Sequence, residues 1–350
     1  MIHRYSKRSD DVFVLRARRR VMLFVVLVVL VLASVVTSLA LGQYYVPLRD
    51  LLTILTQPDS SSLMHNVIWE IRLPRIVLGL LVGACLGVAG TLMQAVFANP
   101  LAEPSIIGVT SGAGVGAAAV IVFNVGILGT FTVPAAAFLS AVVVTVIIYQ
   151  LARHQGKVAI VNLILTGIAI NAVCNALISF LVYLAPTSNR EEIVFWQMGS
   201  LNGAQWKHVW VVAPIALVGI VISSLIGKQL DVLALGERAA GHTGINVGRL
   251  RVIAIAASTI LTAAAVSFAG LIGFVGLIVP HLLRSISGPE NRLLLPASAL
   301  AGAVLIACAD VAARTMIPFA DLPIGIFTAL VGGPTFFVLL RRMLKKGSVY

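Results

Sequence analysis

Long apolar stretches, separated by short polar ones, make up almost the whole chain. Ten of them are candidates for crossing a bilayer, which takes about 20 residues of helix. They are 21–42, 76–96, 105–125, 131–151, 158–184, 208–227, 251–271, 273–286, 295–313 and 322–340, of which 273–286 is the shortest. The pattern predicts an all-α polytopic membrane protein with about ten transmembrane helices.

Glycines recur at close spacing in one of these stretches. Residues 270–284 read GLIGFVGLIVPHLLR, with Gly270, Gly273 and Gly276 on successive turns. In a soluble helix each would cost about 1 kcal/mol relative to alanine. Between membrane helices, small residues let two backbones approach closely. We therefore expect this segment to pack tightly against a neighbouring helix.

The composition agrees with a membrane protein. The chain is 59% hydrophobic and 11% charged, whereas soluble domains contain about 25% charged residues. The three cysteines, Cys85, Cys174 and Cys308, all fall in predicted spans, which argues against a disulfide framework or a zinc site. His281 has no second ligand at metal-binding spacing. We therefore expect no metal and no cofactor.

Basic residues are concentrated on one side of the predicted membrane. The segments on the side of the two termini hold 19 of the 25 Lys and Arg and six of the 13 acidic residues, a net charge of +13. The other side holds six basic and seven acidic residues, a net charge of −1. This positive-inside asymmetry predicts that both termini are cytoplasmic. It also accounts for the overall charge of +12 without a nucleic-acid partner.

The expected organisation is a basic cytoplasmic tail at 1–20, a transmembrane domain at 21–341 and a cytoplasmic tail at 342–350. The basic start resembles a secretory signal peptide, but the apolar run that follows exceeds the 7–15 residues of such a signal, so we expect the first span to be retained. The longest cytoplasmic connection, 228–250, predicts one or two short amphipathic helices broken at glycines.

Motifs of catalysis are missing from the sequence. The Gly-Lys pairs at 156–157 and 227–228 lack both the upstream glycine and the Ser or Thr of a phosphate-binding P-loop. Neither H-E-x-x-H nor G-x-S-x-G occurs. We predict no catalytic residues and no ATP bound by a P-loop of this chain.

The segment NPLAEP at 99–104 interrupts two apolar stretches. Its two prolines prevent a continuous helix. Non-helical backbone at membrane depth is tolerated only against protein or a water-filled cavity. Two interpretations are open: a tight hairpin between packed spans, or a gate that lines a pore.

Three of the arginines on the predicted outer side, where positive charge is disfavoured, lie at the ends of predicted spans. Arg72 and Arg75 precede the second span and share a helix face, and Arg314 ends the ninth. They either extend to the membrane interface or form a docking site for the carboxylates of an outer partner.

Two polar side chains fall inside predicted spans. Asn171 ends the segment LTGIAIN, and such groups are either functional or hydrogen-bonded to a neighbouring helix. For Asp310 we expect a hydrogen bond between helices rather than a role as proton carrier.

With these residues identified, the chain resembles the permease subunit of the iron-chelate and cobalamin importers of the ATP-binding cassette (ABC) class, the type II importers. The matching segments run in order from 72 to 337. They are RLPR (72–75), GxxxGxxGxxxQ (83–94), NPLAEP with GVTSGAG (99–114), LTGIAIN (165–171), WQMGSLNG (196–203), LALGERAAGHTGINV (233–247), GLIGFVGLIVPHLLR (270–284), LLLPASALAGA (293–303), ADVAAR (309–314) and DLPIGIFTALVGGPTFF (321–337).

This resemblance implies a homodimer of ten-span subunits in the cell membrane, with the translocation path along the dimer axis. Two ATPase subunits would bind on the cytoplasmic side and a substrate-binding protein on the outer side. The chain itself would be a non-catalytic transport subunit. By the same resemblance, Arg72, Arg75 and Arg314 would meet acidic residues of the binding protein.

The resemblance also implies roles for two further groups of residues. Asn99 and Leu101 would belong to the cytoplasmic gate, and Ile170 and Asn171 would line the pore. The coupling helices that contact the ATPase would contain Leu235, Gly236, Glu237, Ala240 and Gly244. Two positions depart mildly from the family pattern: Thr243 replaces the usual Leu, and Asp321 replaces the usual Glu.

The charge-poor spans suit a bulky chelate, so we expect a ferric siderophore or haem, with cobalamin as the alternative within the family. A rival class, an ion-coupled secondary transporter, would need paired intramembrane acids or bases, and Asp310 is its sole candidate. An intramembrane enzyme would need a nucleophile with a base or a metal site, which the sequence lacks.

Overall fold

The computed structural model describes residues 2–44, 46–56, 62–154 and 157–345. Fourteen α-helices are formed by these residues. They are α1 (Ile2–Ala40), α2 (Leu48–Thr56), α3 (Leu63–Asn66), α4 (Leu73–Val96), α5 (Val109–Val122), α6 (Thr132–Ala152), α7 (Ile160–Leu184), α8 (Thr187–Met198), α9 (Trp206–Leu233), α10 (Glu237–His242), α11 (Val247–Ala269), α12 (Val275–Ser287), α13 (Asn291–Thr315) and α14 (Ile324–Lys345).

Shorter elements connect these helices. A π-helical turn, Val67–Arg72, leads into α4, and two 3-10 turns, Pro104–Ile107 and Gly129–Phe131, precede α5 and α6. Two strands, β1 (Arg153–His154) and β2 (Lys157–Val158), form an antiparallel hairpin between α6 and α7.

The described helices confirm an all-α polytopic membrane protein. Eight helical segments are long and apolar enough to cross a bilayer, and α5 and α12 are two shorter apolar helices. Together they correspond to the ten stretches predicted from the sequence. The predicted span 105–125 is shorter in the structure, because the 3-10 turn Pro104–Ile107 precedes α5 and α5 ends at Val122. The predicted short span 273–286 corresponds to α12.

The structure adds detail to three predicted segments. The predicted tail 1–20 is helical from Ile2 and continuous with the first span, and residues 346–350 of the predicted tail 342–350 lie outside the described residues. The connection predicted at 228–250 is shorter, because α9 continues to Leu233 and α11 starts at Val247. A single short helix, α10, lies between them.

The centre of the bundle is α4, which is apolar on nearly all sides, as expected of a buried helix. It packs antiparallel against α13 through glycines. A Cβ atom added to Gly83 would lie 2.2 Å from the carbonyl oxygen of Gly302, and one added to Gly87 would lie 2.2 Å from that of Ser298. The two backbones are therefore in direct contact.

The predicted close packing of residues 270–284 holds for two of their three glycines. A Cβ on Gly90 of α4 would lie 1.9 Å from the carbonyl oxygen of Gly276. A Cβ on Gly270 would lie 2.2 Å from that of Trp196, whereas none of the described atoms lies within 4 Å of one placed on Gly273. The glycine pattern thus marks the α4–α12 contact.

The bundle has two ends that differ in chemistry. The arginine end holds the first turn of α4 and the last turn of α13. Trp206, at the start of α9, donates a hydrogen bond from Nε1 to the carbonyl oxygen of Trp69 there (2.9 Å). The helix α9 runs from that end to the opposite one, the loop end, where α10 lies.

Candidate functional site

The three predicted outer arginines meet at the arginine end, because α4 begins and antiparallel α13 ends there. Arg75 forms the centre of the cluster. Its Nε donates to Oδ1 of Asp310 at 2.8 Å, and its Nη1 and Nη2 donate to the two oxygens of Asp321 at 2.6 and 3.2 Å. A bidentate pair of this kind is strong and directional.

Arg314 and Arg72 complete the cluster. Arg314 Nε lies 3.2 Å from Oδ2 of Asp310, and its Nη2 donates to the carbonyl oxygen of Ser38 at 2.7 Å. Arg72 donates instead to main-chain carbonyl oxygens at the end of α1 and beyond it, those of Leu39, Ala40 and Tyr44.

All three arginines are buried, with exposed fractions of 4%, 7% and 6% for Arg72, Arg75 and Arg314. The interpretation that they extend to the membrane interface is therefore wrong. Arg75 and Arg314 face the carboxylates of Asp310 and Asp321. With Arg72, the five charged groups have a net charge of +1. Asp310 joins α13 to α4, as expected from the sequence.

A cleft of about 380 Å³ opens onto this cluster. Its lining includes the three arginines with Gln43, Asn202, Phe319 and Asp321. Gln43 bridges the rim, since its Nε2 donates to the carbonyl oxygens of Arg314 and Ile317, both at 3.0 Å. The sequence analysis did not identify Gln43 or the pairing of Asp321 with Arg75. An aspartate next to an apolar stretch is itself a signal that a basic partner lies nearby.

The predicted break at 99–104 is a capped turn. After α4, Ala98 adopts a left-handed conformation with φ +48°. The side-chain oxygen of Asn99 then accepts a hydrogen bond from the amide of Leu101 at 2.9 Å. Asn99 is exposed and Leu101 is half-buried. The backbone therefore changes direction here in a turn that the side chain of Asn99 stabilises by a hydrogen bond.

The predicted pore residue Asn171 ties α7 to this break. Its Nδ2 donates to the carbonyl oxygen of Ser105 at 3.0 Å, and its Oδ1 accepts from the hydroxyl of Ser111 on α5. One turn earlier, a Cβ on Gly167 would lie 2.0 Å from the carbonyl oxygen of Ile106. The structure thus supports the interhelical interpretation of Asn171. Ile170 beside it is half-buried against the core.

The five predicted coupling residues lie at the loop end in three different settings. Leu235 is 76% exposed, and the exposed Glu237 accepts a hydrogen bond from Arg251 at 2.6 Å. Gly236 and Gly244 have φ values of +113° and +82°, which favour glycine. Ala240 lies in α10 and is fully buried, and its methyl group packs α10 against the bundle.

Across residues 2–44, 46–56, 62–154 and 157–345, no group of three or more His, Cys, Asp and Glu is placed to hold a metal ion. His281 is half-buried in α12, and its Nδ1 has no partner among the described atoms.

Comparison with known proteins adds to this geometry. Residues 27–342 match the FecCD transport family. The chain belongs to this family. Two similar proteins are the hemin transport system permease HmuU of Yersinia pestis, 37% identical over 95% of this chain and 99% of that protein, and the cobalamin import system permease BtuC of Halobacterium salinarum, 43% identical over 79% of this chain and 73% of that protein.

A solved structure similar to this FecCD protein is a metal-chelate type ABC transporter in an inward-facing conformation. It is 34% identical, with a TM-score of 0.82, and the match covers 92% of this chain and 99% of that one. FecCD membership makes the chain an ABC importer permease, a transport subunit that spans the membrane several times.

Proposed function

We propose that the chain is the membrane-spanning subunit of an importer for an iron chelate, either a ferric siderophore or haem. The observation that carries this proposal is the FecCD match over residues 27–342, supported by the similarity to a hemin permease along almost the entire length of both chains. The similarity to a cobalamin permease keeps cobalamin as the alternative substrate.

We propose that two copies form a homodimer with the path between them. The helix α7 packs on α5 with one face and exposes apolar side chains on another, including Val173, Leu177 and Phe180 at 54%, 46% and 57%. A second copy would cover part of this apolar surface. The path would then be gated by Asn99 and Leu101 and lined by Ile170 and Asn171. Its few charges would make only weak contacts with a bulky chelate.

At the loop end we propose the contact with two ATPase subunits on the cytoplasmic side of the cell membrane. Leu235 and Glu237 present an apolar and a charged group side by side, and the glycine turns at 236 and 244 set the position of α10. At the arginine end, the cleft with its net charge of +1 would receive a carboxylate of an extracytoplasmic binding protein.

Substrate uptake tests the proposal directly. A strain that lacks its own importers and expresses this chain with the ATPase and binding protein of its system should accumulate labelled haem or ferric siderophore. Glu237→Arg should abolish both uptake and co-purification of the ATPase, because it reverses the charge at the contact and removes the partner of Arg251. Glu192→Arg on α8 is the matched control and should leave co-purification of the ATPase unchanged. Uptake that persists without any ATPase would refute the proposal.

Docking at the arginine end can be tested without disturbing the buried charges. Asn202 is exposed and lines the cleft. Asn202→Glu should weaken binding of the acidic partner about tenfold, because a like charge is placed at the rim. The affinity of the binding protein for the permease in nanodiscs would be measured by surface plasmon resonance. Thr187→Glu, exposed on α8, should leave the affinity unchanged, and equal affinities of the two variants would contradict docking in the cleft.

A further inference from the structure

Two neighbouring cavities form one continuous amphipathic groove along α11. The first, of about 560 Å³, lies between α9 and α11 and is walled by apolar side chains that include Pro214, Val218 and Ile260. The second, of about 970 Å³, lies at the loop end and contains Arg153 and Arg249. The two cavities share Val252 and Ile253 as lining residues.

The groove follows one face of α11. Arg249, Ile253, Ala256 and Ile260 are spaced by three or four residues and are all exposed, so they form a single stripe along the helix. From Arg249 to Ile260 the stripe is about 17 Å long at the rise of an α-helix. This is close to half of the ~30 Å hydrocarbon thickness of a bilayer, the depth of one leaflet.

The loop end of the groove carries unneutralised positive charge. Glu237 and Arg251 also line this cavity, but they pair with each other at 2.6 Å. No ion pair among the described residues includes Arg153 or Arg249. Two positive charges therefore remain beside the apolar part of the groove.

We propose that this groove binds one anionic phospholipid of the cytoplasmic leaflet. The phosphate lies between Arg153 and Arg249, and an acyl chain follows the apolar stripe between α9 and α11. The cytoplasmic leaflet is the anionic one, and basic pockets between membrane helices on that side hold such headgroups. The assignment to the cytoplasmic leaflet follows from the positive-inside orientation. The proposal of a lipid site does not depend on which substrate the permease transports.

Two other occupants fit the groove less well. Two copies of the chain packed across it in the same membrane orientation would bring their arginines together at equal depth, and like charges repel. An ATPase subunit at the loop end would not reach the apolar part, which extends along membrane-spanning helices to Pro214 and Ile260.

Native mass spectrometry of the full-length permease, delipidated and then titrated with lipid, tests the proposal. We expect one phosphatidylglycerol per chain to bind at concentrations at which phosphatidylcholine does not. Arg153→Ala combined with Arg249→Ala should weaken phosphatidylglycerol binding roughly thirtyfold, since each basic residue near an anionic lipid contributes about one factor of five. Arg238→Ala combined with Arg292→Ala removes the same charge elsewhere at the loop end and should have no effect.

A second variant tests the apolar part. Ala256→Phe fills the groove and should weaken binding of phosphatidylglycerol at least tenfold, whereas Val221→Phe, exposed on α9 outside the groove, should not. The proposal would be overturned if phosphatidylglycerol and phosphatidylcholine bound with equal affinity and if neither the arginine double variant nor Ala256→Phe changed that affinity. Displacement of the lipid by the ATPase would also overturn it, as would a disulfide between two chains carrying Ala256→Cys.

Discussion

Replacing Arg75 by alanine should lower the free energy of unfolding by about 3–5 kcal/mol, the cost of removing one member of a buried ion-pair network. The substitution removes the ion pairs to both Asp310 and Asp321. Asp310 is 3% exposed, so water cannot replace the lost guanidinium. Thermal unfolding in detergent would show the loss, with a thiol-reactive dye reporting exposure of the buried Cys85.

A double-mutant cycle separates the ion pair from simple loss of volume. Adding Asp321→Asn to Arg75→Ala should recover part of the stability, because Arg75 is the one ion-pair partner of Asp321 among the described residues and its orphaned carboxylate becomes a neutral amide. Arg49→Ala, at a position where the side chain is 85% exposed, should leave the unfolding temperature unchanged. If Arg75→Ala were as stable as Arg49→Ala, the cluster would not be the buried network described above.

The second large effect is expected at the glycines of α4. Gly83→Ala and Gly90→Ala should each destabilise the protein by about 1–3 kcal/mol, the range for overpacking a close contact. The added methyl groups would lie 2.2 and 1.9 Å from carbonyl oxygens of α13 and α12. Because those atoms are backbone, whole helices must move to relieve the clash, which outweighs the ~1 kcal/mol that alanine gains in a helix.

The same dye-based unfolding measurement would test this pair of variants. Gly126→Ala is the control, because no described atom lies within 4 Å of a Cβ placed there. A higher unfolding temperature for either α4 variant than for the wild type would mean that the helices are further apart than the structure places them.

The buried arginine cluster also determines which residue is suitable for a docking test. An Arg75 variant that fails to bind a partner could fail because the arginine end has lost its shape. The rim residue Asn202 avoids this difficulty, since it is exposed and carries no buried charge. The cleft and the network beneath it can therefore be examined separately.

The sequence was informative where the physical cause is local. Ten apolar runs predicted ten helices that the structure contains, because crossing a bilayer depends mainly on the length and composition of one segment. The prolines at 100 and 104 predicted the break between α4 and α5, since a proline removes a backbone donor wherever it lies. Glycines at short spacing marked α12 as a packing helix.

What the tertiary structure decided depends on contacts between distant positions. Arg75 and Asp310 are 235 residues apart, and no local pattern pairs them, so the arginines could be read as exposed until the antiparallel contact of α4 and α13 buried them. The shortening of the predicted span 105–125 to α5 has the same origin, because irregular backbone survives at that depth only where neighbouring helices surround it. The sequence by itself thus determined how many helices span the membrane and which segments break, and packing determined which charges meet.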